Sequence, residues 1–124
     1  MLKRGFKDLL AEANAVIESV SVLDLPYHLE DDDVVLLDVR ESEERASDGE
    51  IPGSIHVPRG LLEFQADPES PIFNKALDPE RRFILYCGTG ARSALAAKTL
   101  LDMGFPEVAT LAGGYASWRV TRKE

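Results

Sequence analysis

"RFILYCGTGARSALAAKTLL", residues 82–101, carries three kinds of sequence in direct succession. The apolar run at 82–86 predicts a short strand. Cys87, Gly88, Thr89 and Gly90 make a turn-forming stretch, and the Ala/Leu-rich run beyond predicts a helix over about 92–103. Gly104 supplies the stop for that helix and Pro106 reinforces it. A second run, "VVLLDV" (34–39), is apolar without alternation. Such a strand is buried on both faces, as in a parallel sheet.

Working outward, Phe6, Leu9, Leu10, Ala13 and Ile17 recur at helical spacing and predict an amphipathic helix over 3–19. "SVSVL" (19–23) predicts a short strand. "DLPYHL" (24–29) predicts one or two helical turns, with Pro26 tolerated in the first. "RESEERASDGE" is polar and helical in composition, "IPGSIHVP" (51–58) is a short extended segment, and "RGLLEFQAD" is a short helix. After the proline-punctuated loop 68–80, the strand at 82–86 and its helix, "EVATL" (107–111) is a last strand and "AGGYASWRV" opens a closing helix. The alternation predicts an α/β class, three-layer α/β/α, with a mostly parallel sheet of about five strands. The 124 residues divide into an N-terminal helical extension (1–20), one domain (21–120) and a tail (121–124).

Asp and Glu outnumber Lys and Arg by 22 to 14, a net charge of -8, which argues against nucleic acid as a partner. Yet 81–101 holds no acid while Arg81, Arg82, Arg92 and Lys98 are basic, so an anion can meet a positive local field there. No run approaches the ~18 apolar residues of a membrane span. Asp8, Glu12 and Glu18 interrupt the start of the chain. The expectation is a cytoplasmic protein with no membrane contact. A single cysteine cannot form an intramolecular disulfide and fits a reducing compartment. His28 and His56 are far from each other and from Cys87, so neither a metal nor a cofactor is expected.

Cys87 follows a strand and precedes a helix, where open parallel sheets place their sites. Unpaired amides and the helix dipole at that junction favour thiolate over thiol. Gly88 and Gly90 let the loop curl with its amides facing a common centre, and Arg92 and Ser93 add donors or close it. Four residues separate Cys87 from Arg92, one fewer than in protein tyrosine phosphatases. That tighter cradle suits one sulfur atom better than a tetrahedral phosphate.

"LLDVRESEE" (36–44), "GEIPGSIHVP" (49–58), "ILYCGTGARSALAAKTLLDMGF" (84–105) and "LAGGYASW" (111–118), in that order, resemble single-domain rhodanese-like sulfurtransferases of the rhodanese and cell-cycle phosphatase superfamily. The resemblance implies a five-stranded parallel sheet flanked by helices, with the loop Cys87, Gly88, Thr89, Gly90, Ala91, Arg92 and Ser93 as active site. It also implies transfer through a Cys87 persulfide, from a small anionic sulfur donor such as thiosulfate to a thiol or cyanide. The thiol acceptor is either a protein or a low-molecular-weight thiol. Arg92 and Ser93 match the family's loop-closing positions, and Asp38 and Arg40 match its "DVR" pair.

From the residues themselves, Asp38 ends a buried strand and caps the following turn, while Arg40 is in range to pair with Glu44. Arg59 either faces the pocket to attract an anionic donor or is a solvated surface residue. His56, Phe105, Tyr115 and Trp118 read as packing residues, and Glu50 stands where the family often has His. Two alternatives accompany the sulfurtransferase reading. One is a phosphatase or arsenate reductase on the same fold; the other is a non-catalytic sulfur-carrier or regulatory module.

Overall fold

In the computed structural model, which describes residues 1–122, the elements run α1 (Phe6–Val16), β1 (Glu18–Val20), α2 (Leu25–Leu29), β2 (Val34–Asp38), α3 (Ser42–Asp48) and β3 (Ile55–His56). A 3-10 turn (Arg59–Leu61) leads into α4 (Leu62–Ala66). Then come β4 (Arg82–Tyr86), α5 (Ala91–Met103), β5 (Val108–Leu111) and α6 (Gly114–Thr121). The five strands form one sheet in the order β1-β5-β4-β2-β3, all parallel.

The apolar runs explain the layers. Along β2, Val35 and Leu37 face one side of the sheet and Leu36 the other. Along β4, Phe83, Leu85 and then Cys87 share the first side, while Ile84 and Tyr86 take the second. The first face is covered by α5 through Ala96, Ala97 and Leu100, and by Leu62 and Ala66 of α4. Leu25, Ile51 and Tyr115 cover the second. A strand buried on both faces is apolar at nearly every position, which is why neither run alternates, and the buried Asp38 at the end of β2 is the exception that needs charged partners.

Strand order also sets where a site can form. From β2 the chain crosses to β3 at one edge, and from β4 it crosses the opposite way to β5. The loops leaving the carboxyl ends of β2 and β4 therefore diverge and open a crevice between them. Asp38 pairs in register with Tyr86, so the "DVR" turn and the cysteine loop flank that crevice.

The N-terminal boundary differs from the expected helix over 3–19. Helix α1 ends at Val16, and Glu18, Ser19 and Val20 pair with Ala109, Thr110 and Leu111 of β5. Sheet pairing ends the helix sooner than its apolar spacing does. Residues 18–20, counted in the helical extension, are an edge strand of the common sheet. Helix α1 itself lies on α5 and buries Ala13. Of the expected tail 121–124, Lys123 and Glu124 fall outside the described residues. No described helix is long and apolar enough to cross a membrane.

Candidate active site

Cys87 leaves β4 into a loop that closes around its own sulfur. The amide of Gly90 donates to Sγ at 3.1 Å and that of Ser93 at 3.4 Å. Gly90 reaches this position with φ +112°, a left-handed conformation that glycine adopts without penalty. The thiol is 1% exposed, and burial alone pushes its pKa up. The Ser93 hydroxyl and the amides of Ser93, Gly90 and Thr89 outweigh burial and hold the pKa below the ordinary thiol value. The Ser93 Oγ also lies 3.1 Å from the Gly90 carbonyl and 2.6 Å from the hydroxyl of Thr110 on β5, so its one proton serves either the sulfur or one of these oxygens. Two amides of the loop are thus turned on the sulfur itself.

The loop's carbonyls face away, towards α6. Amides of Tyr115 and Ala116 donate to the carbonyls of Cys87 and Gly88 at 2.8 and 3.0 Å. That leaves the loop amides turned to Sγ. Such close approach needs Gly114, where a Cβ would stand 2.6 Å from the Cys87 oxygen, at φ +61°. Gly114→Ala is therefore expected to displace α6 from the loop. A loss of about 1–3 kcal/mol is expected in a thermal melt, together with a rise in the Cys87 pKa measured by alkylation.

Arg92 closes the loop from outside. Its guanidinium is bidentate with Glu44 of α3, at 2.7 and 2.9 Å, and passes close enough to Gly88 that a Cβ there would meet it at 3.2 Å. Glu44, expected to pair with Arg40, is held by Arg92 down to a pKa of about 2. The same contact raises Arg92, with a smaller contribution from the charge of Cys87. A depressed carboxyl stabilises the fold above its unfolded value of 4.5, and that contribution fades only as pH falls towards 2. Glu44→Gln should remove it, lowering the melting temperature slightly at neutral pH and not at pH 2. Thiolate reactivity is expected to fall a few-fold as the loop loosens.

Arg40 turns instead to Asp38. Nε and Nη2 meet the two carboxylate oxygens at 2.9 and 2.8 Å, and Nη2 also donates to the Gly49 carbonyl at 2.7 Å. Arg40 lies before the first residue of α3, so the helical spacing that would bring it to Glu44 does not apply. Its guanidinium carbon is 4.4 Å from the Tyr115 ring centroid and 5.4 Å from that of Tyr86. Arg45 adds a third contact to Asp38 at 2.9 Å. Burial pushes the Asp38 carboxyl up, but these arginines hold it below the usual carboxylate value. Burial also raises Tyr86, which keeps its proton for Asp38 Oδ2 at 3.1 Å and accepts the Ile51 amide at 3.1 Å.

Beside the loop lies a cavity of about 810 Å³ whose lining includes Arg40, Glu44, Gly88 and Thr89, while Cys87, Asp38 and Arg92 are not among its lining residues. Arg59 is not among its lining residues. It pairs with Glu63 at 3.0 Å and donates to Thr99 of α5 at 3.1 Å, so the pocket-facing alternative gives way to a surface ion pair. His56 donates from Nε2 to the Arg40 carbonyl at 2.7 Å and holds the "DVR" turn. Sequence reasoning missed Arg45, Thr110, Gly114 and Asp48, whose carbonyl accepts the Tyr115 hydroxyl at 2.6 Å. Among these, only Gly114 left a signal, as part of a glycine pair read as a turn, and it is the first residue of α6.

Comparison with known proteins places this geometry. Residues 21–121 match the model of the rhodanese-like domain. A sulfurtransferase of Allochromatium vinosum is 33% identical over 87 residues, covering 70% of this chain and 73% of its own. A putative sulfurtransferase of Bacillus subtilis is 32% identical over 103 residues, covering 82% and 90%. Among solved structures, a protein of unknown function from Rhodopseudomonas palustris, described as a possible tyrosine phosphatase, superposes with a TM-score of 0.93. It is 41% identical, over 100% of this chain and 96% of that one.

Proposed function

Since this chain belongs to the rhodanese-like domain family, we propose that it is a sulfurtransferase working through a persulfide on Cys87. The observation that carries the reading is the set of amides trained on Sγ. In the first half-reaction the Cys87 thiolate attacks the outer sulfur of thiosulfate. A bond forms between Sγ and that sulfur, the sulfur–sulfur bond of thiosulfate breaks, and sulfite leaves with the bonding pair. In the second, an acceptor thiol or cyanide attacks the outer sulfur, and Cys87 departs as thiolate. Negative charge at the loop centre, on Sγ or on the outer sulfur, meets the same donors. The loop donors favour the thiolate by lowering the Cys87 pKa from its ordinary value, and the reading assigns no general base. Asp38 and Arg40 build the wall of the crevice, and Arg92 keeps the loop shut through Glu44.

A phosphatase reading draws support from the description of the Rhodopseudomonas palustris structure. Against it stands the four-residue interval between Cys87 and Arg92. Arg92, the charge a phosphate oxyanion would call on, is already engaged by Glu44.

Intact-mass measurement after incubation with thiosulfate separates the two. The expected result is gain of one sulfur atom, reversed by cyanide with release of thiocyanate. No gain of sulfur, combined with steady hydrolysis of an aryl phosphate, would overturn the reading.

A further inference from the structure

The cavity beside the cysteine loop is larger than a sulfur atom needs, and its charges are not all spent. At about 810 Å³ it lies in the range of sites for small organic molecules. Gly88 and Thr89 contribute from the loop, Glu44 and Asp48 from α3, and Ala116, Arg119 and Val120 from α6. Arg122, one residue past α6, also lines it. Two of the lining charges are neutralised locally: Glu44 by Arg92 and Arg40 by Asp38. Among the described residues, Arg119 and Arg122 take part in no ion pair, and Arg122 rests over the Trp118 ring at 5.5 Å. Asp48 is the one acid left opposite them, so the cavity carries surplus positive charge in a chain whose net charge is -8.

We propose that this cavity binds the sulfur acceptor, and that Arg119 and Arg122 select an acceptor thiol bearing a carboxylate. The proposal rests on the sulfurtransferase reading and extends it to the second substrate. A small oxyanion donor does not need so large a space; a thiol with a carbon skeleton does. Its methylene groups pack on Ala116 and Val120, its carboxylate meets the two arginines, and its sulfur reaches the loop over Gly88 and Thr89. Transfer then balances without a further reagent. The acceptor sulfur forms a bond to the outer sulfur, the bond from Sγ to that sulfur breaks, and Cys87 keeps the bonding pair as thiolate. The acceptor's proton stays with the new hydropersulfide.

The test uses the full chain, preloaded with thiosulfate, and follows discharge by 3-mercaptopropionate and by 2-mercaptoethanol. The first carries a carboxylate and the second a neutral hydroxyl. In the Arg119→Gln/Arg122→Gln variant the KM for 3-mercaptopropionate should rise about three- to tenfold, as two exposed charge contacts imply. The limiting rate, discharge by 2-mercaptoethanol and loading from thiosulfate should not change. Arg119→Lys/Arg122→Lys, which keeps both charges, should restore most of the affinity. Equal effects on both thiols, no effect on either, or slower loading with normal discharge would overturn the proposal while leaving the sulfurtransferase reading intact. Failure of the wild type to load from thiosulfate or from an organic persulfide would instead remove the reading beneath it.

Discussion

Cys87→Ser is expected to abolish sulfur transfer, by more than about a thousandfold in kcat/KM, while the protein stays folded. The serine hydroxyl fits the volume of the thiol and accepts hydrogen bonds from the same amides, those of Gly90 and Ser93. Those donors favour the thiolate by lowering the pKa of a thiol that is already the more acidic group. They cannot bring a hydroxyl, whose acidity is far weaker, into range. The melting temperature should therefore move by no more than about 1 kcal/mol of stability implies. Cys87→Ala is the instructive contrast. It leaves the loop amides facing an apolar methyl, at a site 1% exposed, and unpaired buried donors cost about 1–3 kcal/mol. The serine variant should be inactive and stable, the alanine variant inactive and less stable. Turnover assays with thiosulfate and cyanide, paired with melts, check both. Serine activity within tenfold of wild type would place the nucleophile elsewhere.

What could be read from the chain before its structure, and what could not, divides by the range of the interaction involved. The two fully apolar runs report burial on both faces, and the glycines beside Cys87 report a turn, because each is decided by neighbouring residues. The position of Cys87 at a strand-to-helix junction followed from these alone, whereas the crevice it borders needed the strand order. Partners were another matter. Glu44 and Arg92 are 48 residues apart, and Asp48 and Tyr115 are 67 apart. Such pairs are set by the strand order, which brings the ends of β2 and β4 side by side. Spacing rules assigned Glu44 to Arg40, whereas Asp38, two residues away, offers both of its oxygens to Arg40. Helix α1 shows the same limit: its apolar spacing continues to Ile17, but pairing with β5 claims the chain from Glu18. The cavity's unpaired arginines lie near the end of the described chain, where exposed charge reads in sequence as ordinary solvated surface.

Asp38→Ala should be the most damaging single change to stability. Asp38 is fully buried and Arg40 is 1% exposed. Once the carboxylate is gone, the Arg40 guanidinium keeps only the Gly49 carbonyl and the faces of Tyr86 and Tyr115, and Arg45 loses its inner contact. Breaking a buried ion pair from one side costs about 3–5 kcal/mol, a large share of the roughly 5–15 kcal/mol that holds a domain together. The melt should fall by about 10 °C or more. The pH dependence has a definite sign. Because Arg40 and Arg45 depress Asp38, its contribution is present above the ordinary carboxylate value of 3.8 and is lost as pH drops through the lower folded value. Wild type and variant should therefore converge in acid. A second replacement tells charge from shape. In Asp38→Ala/Arg40→Met the stranded cation is gone and an apolar chain fills much of its volume, so part of the lost stability should return. If the double variant is no more stable than Asp38→Ala, the loss comes from the collapsed "DVR" turn and its His56 contact. A partial return would identify the uncompensated guanidinium as the cause, and would mean that the wall of the crevice is held in register by charge.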